Sequence, residues 1–190
     1  MENNNDIASA LKQAVTTLKT GGIIAYPTEA VYGLGCDPFN KQAVQKLLAL
    51  KKRPQTKGLI LITHSWQTVA NLVEEISPLL LEKALKTWPG PITWVFPAKL
   101  TMVPDWIRGN HNSIAIRVTN HKITKELCAA FGQPIISTSA NIEGKKEARI
   151  TKEVIEQFPS GIDCILPGTT DNLAKPTPIY DILTGKILRN

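Results

Sequence analysis

The segment from residue 23 to residue 35 constrains the fold most, because a short apolar run there stops at a proline. Residues 23–26 are all apolar or aromatic, which predicts a buried strand. Pro27 ends that strand, since proline has no N–H to donate to a sheet ladder. Gly33 and Gly35 follow, and glycine suits places where the backbone turns sharply or lets a ligand approach. Open α/β sheets bind ligands where a strand runs into such a loop, although a plain strand-to-turn junction has the same composition.

Helices and strands alternate along the rest of the chain, with proline turns and a hairpin between them. Apolar spacing predicts strands at residues 58–62, 92–96, 113–118, 134–137, 163–166, 179–183 and 186–189. Helices are predicted at residues 6–18, 41–50, from 65 onward, 77–87, 120–131 and from 151 onward, and irregular loops at 98–112 and 168–177. No linker divides the chain. We therefore predict one α/β domain over residues 1–190, a single mixed sheet with flanking helices.

Charge and cysteine usage narrow the class of protein. The 22 Lys and Arg residues outnumber the 16 Asp and Glu residues, so the protein attracts polyanions, without separating a nucleotide from a nucleic acid. No run approaches the roughly 20 apolar residues of a membrane span. The cysteines are few and far apart, without the spacing of a zinc site or a disulfide framework. We expect a cytoplasmic protein with no contact with membranes.

Two polar clusters accompany the glycine segment. Lys51, Lys52 and Arg53 come at the end of a predicted helix, where cations interact favourably with the helix dipole and stay solvated. Residues 137–141, Ser-Thr-Ser-Ala-Asn, follow a predicted strand, where such side chains often cap a turn. Arg117 interrupts an apolar strand and is either an edge residue with its head in water or a buried cation with a partner. Each cluster has a structural interpretation and a ligand-binding one.

Together these segments resemble the YrdC/TsaC family of threonylcarbamoyl-AMP synthases. The family shows Tyr-Pro-Thr-Glu followed by Tyr-Gly-Leu-Gly, then Lys-x-Arg-Pro, then Ser-x-Asn, and this chain has all of them in that order. The resemblance extends from about residue 23 to residue 189. It implies an open twisted mixed sheet with flanking helices and a basic concave face.

The resemblance also implies site residues. Those it places on ATP are Lys51, Arg53, Lys57, Ser113, Ser139, Asn141 and Arg189, and those it places on L-threonine are Thr28, Ala30, Tyr32, Arg117, Ser137 and Thr177. Lys51 and Arg53 would be catalytic, because they neutralise phosphate charge. Lys57 has an equally weighted alternative as a solvated loop lysine. Ala30 and Ile62 depart from relatives that carry threonine and histidine there.

The remaining polar residues carry weaker expectations. Glu29 and Asp37 are the acids closest to the glycine segment and are candidates to orient Mg²⁺, which we expect to be held mainly by phosphates, with no protein metal site. The three histidines are isolated, so we expect surface or capping roles for them. The four tryptophans are expected in the core or in pocket walls.

The reaction implied by the resemblance joins L-threonine, bicarbonate or CO2, and ATP into threonylcarbamoyl-AMP and diphosphate. The product would pass to partner proteins that modify tRNA next to the anticodon, and weak tRNA binding is also conceivable. One alternative is a carbamoyl-adenylate-forming domain like that of hydrogenase-maturation proteins. The other is a non-enzymatic RNA-binding module that uses the basic concave face, whose affinity would fall steeply with salt.

Overall fold

A computed structural model of the protein describes residues 4–171, 173 and 176–189. The strands are β1 Ile24–Pro27, β2 Tyr32–Gly35, β3 Ile60–Thr63, β4 Thr93–Pro97, β5 Ser113–Val118, β6 Ile135–Ser139, β7 Cys164–Ile165, β8 Ile179–Asp181 and β9 Ile187–Arg189. The helices are α1 Asn4–Lys19, α2 Lys41–Leu50, α3 Pro78–Leu85, α4 Asp105–Arg108, α5 Lys122–Phe131 and α6 Thr151–Gln157.

All of these strands form one open sheet in the order β7-β1-β2-β6-β3-β5-β4-β8-β9. The pairs β1–β7, β3–β5 and β4–β8 are parallel, and the other neighbours are antiparallel. The predicted mixed sheet with flanking helices is therefore confirmed. The hairpin predicted near the carboxyl end is the antiparallel pair β8–β9, at one edge of the sheet.

The glycine segment differs from its prediction, because residues 32–35 form a strand instead of a loop. β2 runs antiparallel to β1, and the turn between them covers residues 28–31. The glycines are needed for close packing: a Cβ on Gly33 would lie 3.2 Å from the ring of Tyr26, and one on Gly35 would lie 2.3 Å from the carbonyl oxygen of Ile136. Tyr26 is fully buried, so its ring occupies the space that side chains on β2 would fill.

Several predicted element boundaries also change. Residues 66–68 and 70–72 form two 3-10 turns in place of the helix expected from Ser65. The loop predicted at 98–112 contains the short helix α4. His121, and not Asn120, caps α5, since its Nδ1 accepts a hydrogen bond from the N–H of Thr124. β6 continues through Ser139, so both serines of the Ser-x-Ser segment lie on the strand.

The two faces of the sheet are covered unequally. One face packs against α2 and the elements between β3 and β5, in a core that includes Leu47, Leu61 and Ile116. On the opposite face α1 and α5 cover β7, β1 and the adjoining ends of β3 and β6, around Tyr26 and Ile62. The rest of that face carries side chains of small to moderate size, such as Ala115 on β5. This uncovered area forms the floor of a cavity.

Across the described ranges, no helix combines the length and hydropathy needed to cross a bilayer. Cys36, Cys128 and Cys164 are buried free thiols, which agrees with the expectation that they form no disulfide framework.

Replacing Gly35 with alanine is expected to lower the free energy of unfolding by about 3 kcal/mol, the upper end of the usual cost of overpacking. The added methyl would meet a backbone oxygen at 2.3 Å and Tyr26 at 2.9 Å, and neither can move freely. Urea denaturation measures the change. Gly144→Ala is the control, because no atom lies within 4 Å of its Cβ position. We expect this variant to lose only about 1 kcal/mol, the cost of an alanine at the positive φ of Gly144. Equal losses in the two variants would contradict this interpretation.

Candidate functional site

A cavity of about 390 Å³ occupies the uncovered part of the sheet. The register aligns Ser137 on β6, Ile60 on β3, Ala115 on β5 and Val95 on β4 across its floor. These side chains are small or of moderate size, so the strands themselves come close to anything bound there. The floor is thus built from residues far apart in sequence.

Most of the site residues predicted from the sequence line this cavity. From the predicted ATP set, the lining residues are Arg53, Ser113, Ser139 and Arg189. From the predicted threonine set, they are Thr28, Ala30, Tyr32, Arg117, Ser137 and Thr177. Lys51, Lys57 and Asn141 are not among the lining residues. The structure therefore brings together two groups that the sequence placed in separate segments.

The cavity wall is strongly cationic. Arg53, Arg108, Arg117 and Arg189 all line it, and among the residues that the structure describes Glu147 is the one carboxylate in the lining. Arg53, Arg108 and Arg117 each have a buried Nε–H without a hydrogen-bond partner. Buried donors are normally paired. The four arginines of the lining give the cavity a positive charge that favours an anionic ligand.

Arg53 and Arg108 lie on the same wall because their loops are joined. The N–H of Leu59 donates to the carbonyl of Ile107 at 2.8 Å, and a Cβ on Gly109 would lie 2.3 Å from a carbonyl oxygen of the neighbouring loop. Arg53 Nη2 donates to the carbonyl of Gly58 at 2.9 Å, whereas Arg108 Nη1 donates to that of His111. These bonds orient both guanidinium groups at the end of the cavity where β5 begins.

Lys51 lies behind the cavity wall instead of in it. It is 6% exposed, and its Nζ donates to the carbonyls of Ser139 and Asn141, the latter at 2.7 Å. Ser139 Oγ in turn donates to Asn141 Oδ1 at 2.7 Å. Burial, with Arg53 adding to it, lowers the pKa of the Lys51 ammonium to about 8. Lys51 therefore fixes the Ser-x-Asn turn and places a buried cation beneath it.

The other end of the cavity is organised around Arg117, at the end of β5. Arg117 is 5% exposed, which decides between the two interpretations of the sequence in favour of a buried cation with partners. Its Nη1 donates to Thr177 Oγ1 at 2.5 Å, and its Nη2 lies 3.8 Å from Glu29 Oε2. Arg189 Nη2 donates to the carbonyl of Thr177 at 2.8 Å. Ser113 and Arg117 are four positions apart on β5, so their Cα atoms lie about 13 Å apart along the strand.

The turn between β1 and β2 closes this second end. Thr28 Oγ1 donates to the carbonyl of Val31 at 2.7 Å, which holds the turn. The hydroxyl of Tyr32 is directed to Thr151 at 3.0 Å and to the carbonyl of Gly168 at 2.7 Å. Tyr32 thus anchors the loop that follows β7, while Ala30 leaves space in the wall where a larger side chain would intrude.

Lys57 and Ile62, which the sequence analysis singled out, both lie outside the cavity lining. Lys57 Nζ forms an ion pair with Glu143 Oε1 at 3.1 Å, and both side chains are more than half exposed. An exposed pair of this kind contributes little to stability. Ile62 is fully buried under α1 and α5, so it lies outside the cavity lining.

Sequence reasoning missed Arg108, His111 and Glu147 as cavity residues. Arg108 and His111 lie in the stretch predicted as an irregular loop at 98–112, where no motif singled them out, and a surface or capping role was expected for His111. Glu147 follows the Ser-x-Asn segment without a recognisable pattern. The one available signal was at Arg108, a positive charge that follows two apolar residues and precedes Gly109.

The acidic residues do not form a metal centre. Among the described residues no group of three or more His, Cys, Asp or Glu side chains is placed to hold an ion. Glu29 is occupied by Arg117, Thr119 and Asn120, and Asp37 Oδ1 accepts the N–H of Phe39 at 2.9 Å. Neither acid lines the cavity, so the expectation that one of them orients Mg²⁺ has no support in this geometry.

Comparison with known proteins agrees with this architecture. The Sua5/YciO/YrdC family model, described as "Telomere recombination", matches residues 16–190. The chain belongs to this family. It is 51% identical over 185 residues to a threonylcarbamoyl-AMP synthase from Coxiella burnetii (strain RSA 493), covering 97% of this chain and 99% of that protein. It is 48% identical over 179 residues to one from Methylococcus capsulatus, covering 94% and 96%.

A solved member of the Sua5/YciO/YrdC family shares the fold. The crystal structure of P. abyssi Sua5 complexed with L-threonine superposes with a TM-score of 0.86 at 31% identity. The match covers 93% of this chain and 52% of that one, so the chain spans about half the length of Sua5. The family and the fold predicted from the sequence are confirmed.

The depressed pKa of Lys51 leads to a pH-dependent stability. In the unfolded chain a lysine titrates near pH 10.4, so between about pH 8 and pH 10.4 the unfolded state binds more protons than the folded state. Stability therefore rises with pH in this window. Relative to Lys51→Met, the wild-type free energy of unfolding should increase by roughly 2–3 kcal/mol between pH 7 and pH 10.

Urea denaturation at several pH values measures this difference. Lys152→Met is the control, because the Lys152 side chain is 80% exposed, and its difference from wild type should stay flat over the same range. A flat difference for Lys51→Met as well would show that Lys51 keeps its ordinary pKa in the folded protein.

Proposed function

We propose that this protein is a threonylcarbamoyl-AMP synthase, which makes threonylcarbamoyl-AMP and diphosphate from L-threonine, bicarbonate or CO2, and ATP. The observation that carries the proposal is one cavity with two cationic ends, Arg53 and Arg108 at one and Arg117 at the other. A polyphosphate and an amino-acid carboxylate need such separate anchors. The names of the relatives support the same reaction, and a cavity of about 390 Å³ is within the usual range for small-molecule sites.

The proposed reaction requires few side chains to take part directly in bond making or breaking. The amine of threonine adds to the carbon of CO2 and loses a proton, which gives a carbamate. A carbamate oxygen then attacks the α-phosphorus of ATP, and diphosphate leaves. Because the carbamate is short-lived, we assign much of the catalysis to holding both reactants in one enclosed place.

The cationic wall would stabilise the charge that develops on the phosphates. Arg53 lines the cavity, and its planar guanidinium is suited to bind phosphate oxygens directly. Lys51 would act from beneath the Ser-x-Asn turn, by its charge and by fixing Ser139 and Asn141 for the nucleotide. Mg²⁺ would arrive on the ATP phosphates as part of the substrate, since the described residues offer no metal centre of their own.

The threonine end would be formed by Arg117, Thr177 and Ser137, with Thr28 and Ala30 in the wall. Arg117 would bind the carboxylate, and Ser137 lies on β6 at the level of Ala115, with β3 between them. Lys57 and Asn141 would contact ATP only if the ligand extends beyond the lining residues. We assign Ser113 and Arg189 to the nucleotide, from the two edges of the floor.

The wider context is part of the same proposal. The adenylate would be consumed by partner proteins that modify tRNA next to the anticodon, and the net charge of +6 would allow weak tRNA contact. Residues 1–190 would act as one domain, because a single sheet includes strands from Ile24 to Arg189. Buried free thiols suit the reducing cytoplasm, where we place the reaction.

The deciding experiment measures diphosphate release from ATP with Mg²⁺ and bicarbonate, with and without L-threonine. We expect release from the wild type that requires threonine and that collapses in Lys51→Ala. Folded protein that binds RNA but shows no threonine-dependent release would overturn the proposal in favour of the RNA-binding module.

Substitutions at the two ends of the cavity should affect the kinetic constants of different substrates. Arg53→Ala is expected to lower kcat/KM for ATP by about 100-fold, the effect of removing a charged donor to a transferring phosphate. Arg117→Gln is expected to raise the KM for threonine by at least about tenfold while leaving the KM for ATP within about twofold, as for loss of a buried charge partner. Steady-state diphosphate release, varying one substrate at a time, measures both.

Lys152→Ala is the control for removing a cation elsewhere, since its side chain is exposed on α6. Its kinetic constants should match the wild type. Equal effects of Arg53→Ala and Arg117→Gln on both substrates would argue against two separate ends.

A further inference from the structure

Glu29 is a buried carboxylate that the proposed reaction does not use. It is 3% exposed, lies in the turn between β1 and β2, and does not line the cavity. Its nearest cation is Arg117, whose Nη2 is 3.8 Å from Glu29 Oε2. Two buried charges that lie this close without solvent are each other's main compensation, since an isolated buried ion is very costly.

The position of Glu29 is fixed from the side away from Arg117. Glu29 Oε1 accepts hydrogen bonds from Thr119 Oγ1 at 2.7 Å and from the N–H of Asn120 at 3.2 Å. Burial alone would raise the pKa of Glu29, but Arg117 and the bond from Thr119 outweigh it and hold the pKa below its usual value. The carboxylate is therefore ionised and rigid, and it faces the guanidinium with its other oxygen.

That other oxygen makes no hydrogen bond. Glu29 Oε2 and Arg117 Nε are both buried and unpaired, and 3.8 Å exceeds a hydrogen-bond distance. Glu29 thus attracts Arg117 without using up its donors. Thr177 holds Arg117 through Nη1, and among the described residues none accepts a hydrogen bond from its buried Nε–H.

The charge of Glu29 also distinguishes the two ends of the cavity. Arg53 and Arg108 have no carboxylate bonded to them among the described residues, whereas Arg117 has a buried one beside it. Arg189 also lies at the Arg117 end, bonded to the carbonyl of Thr177, and Glu29 offsets one of the two positive charges there while leaving directed donors. The Arg53 end offers net positive charge, which suits a polyphosphate.

We propose that Glu29 is a positioning and specificity residue: it fixes Arg117 and cancels its charge, so that this end takes the single carboxylate of the amino acid and refuses a polyphosphate. The inference rests on the proposed function, whose amino-acid substrate it deepens. Glu29 acts through Arg117 and does not touch the substrate.

The test is Glu29→Gln, whose amide oxygen can still accept the bonds from Thr119 and Asn120 while the negative charge is lost. We expect the KM for L-threonine to rise by at least about tenfold, because Arg117 loses the partner that fixes it. The dissociation constant for ATP without threonine should stay within about twofold, since the Arg53 end is unaltered. Inorganic diphosphate should become a competitive inhibitor against threonine, which it is not in the wild type.

Two variants serve as comparisons. Glu29→Asp keeps the charge and should restore the lack of competition between diphosphate and threonine, even if the shorter side chain raises the KM for threonine. Glu153→Gln removes a carboxylate that accepts the N–H groups of Arg149 and Ile150 away from the cavity, and its kinetics should match the wild type. Urea denaturation of each variant reports any loss of stability separately from the kinetic constants.

The outcomes distinguish the inference from the proposed function. No threonine-dependent diphosphate release from the wild type overturns both. An active wild type with a Glu29→Gln variant that uses threonine equally well or better overturns the inference alone. Equal weakening for threonine and ATP, without diphosphate competition, also overturns it, because that pattern is the one a purely structural role produces.

Discussion

The incomplete covering of one face of the sheet is the constraint on which the site depends. α1 and α5 bury one corner of that face around Tyr26, and the remaining area forms the floor of the cavity. The side chains on this area are of small to moderate size, as Ala115, Ser137 and Ile60 are. Because the side chains here are smaller than those packed under α1 and α5, there is room above them for a ligand. Fold and site are therefore consequences of one packing arrangement.

Cationic groups surround this space, and the backbone positions them. Arg53 and Arg108 are each held by a bond to a carbonyl oxygen, and Lys51 is held by two. A carbonyl orients a cation without neutralising its charge, unlike a carboxylate. The cavity can therefore keep its positive potential while its side chains remain fixed. Arg117 differs in having Glu29 as a buried counter-ion, which gives the two ends of one cavity different electrostatic character.

Much of this was predictable from local patterns. The helix start at Ser77, the left-handed cap at Gly132 and the strand at residues 113–118 were each predicted from a single short segment, because each depends on local backbone chemistry. The glycines of β2 misled the prediction. These glycines leave space for the ring of Tyr26 on the neighbouring strand. A glycine needed for close packing cannot be distinguished in a sequence from a glycine needed for a turn.

The sequence by itself determined the fold class, the family and ten of the residues that line the cavity, since these follow from periodicity and from motifs that local chemistry and family resemblance make recognisable. Only the tertiary structure decided which of those residues line the cavity and which support it from behind. It placed Lys51 behind the wall, added Arg108 to it, and set Glu29 beside Arg117. The physical reason is that burial, charge compensation and the pKa of a group depend on neighbours brought from distant segments of the chain, and no local pattern specifies those neighbours.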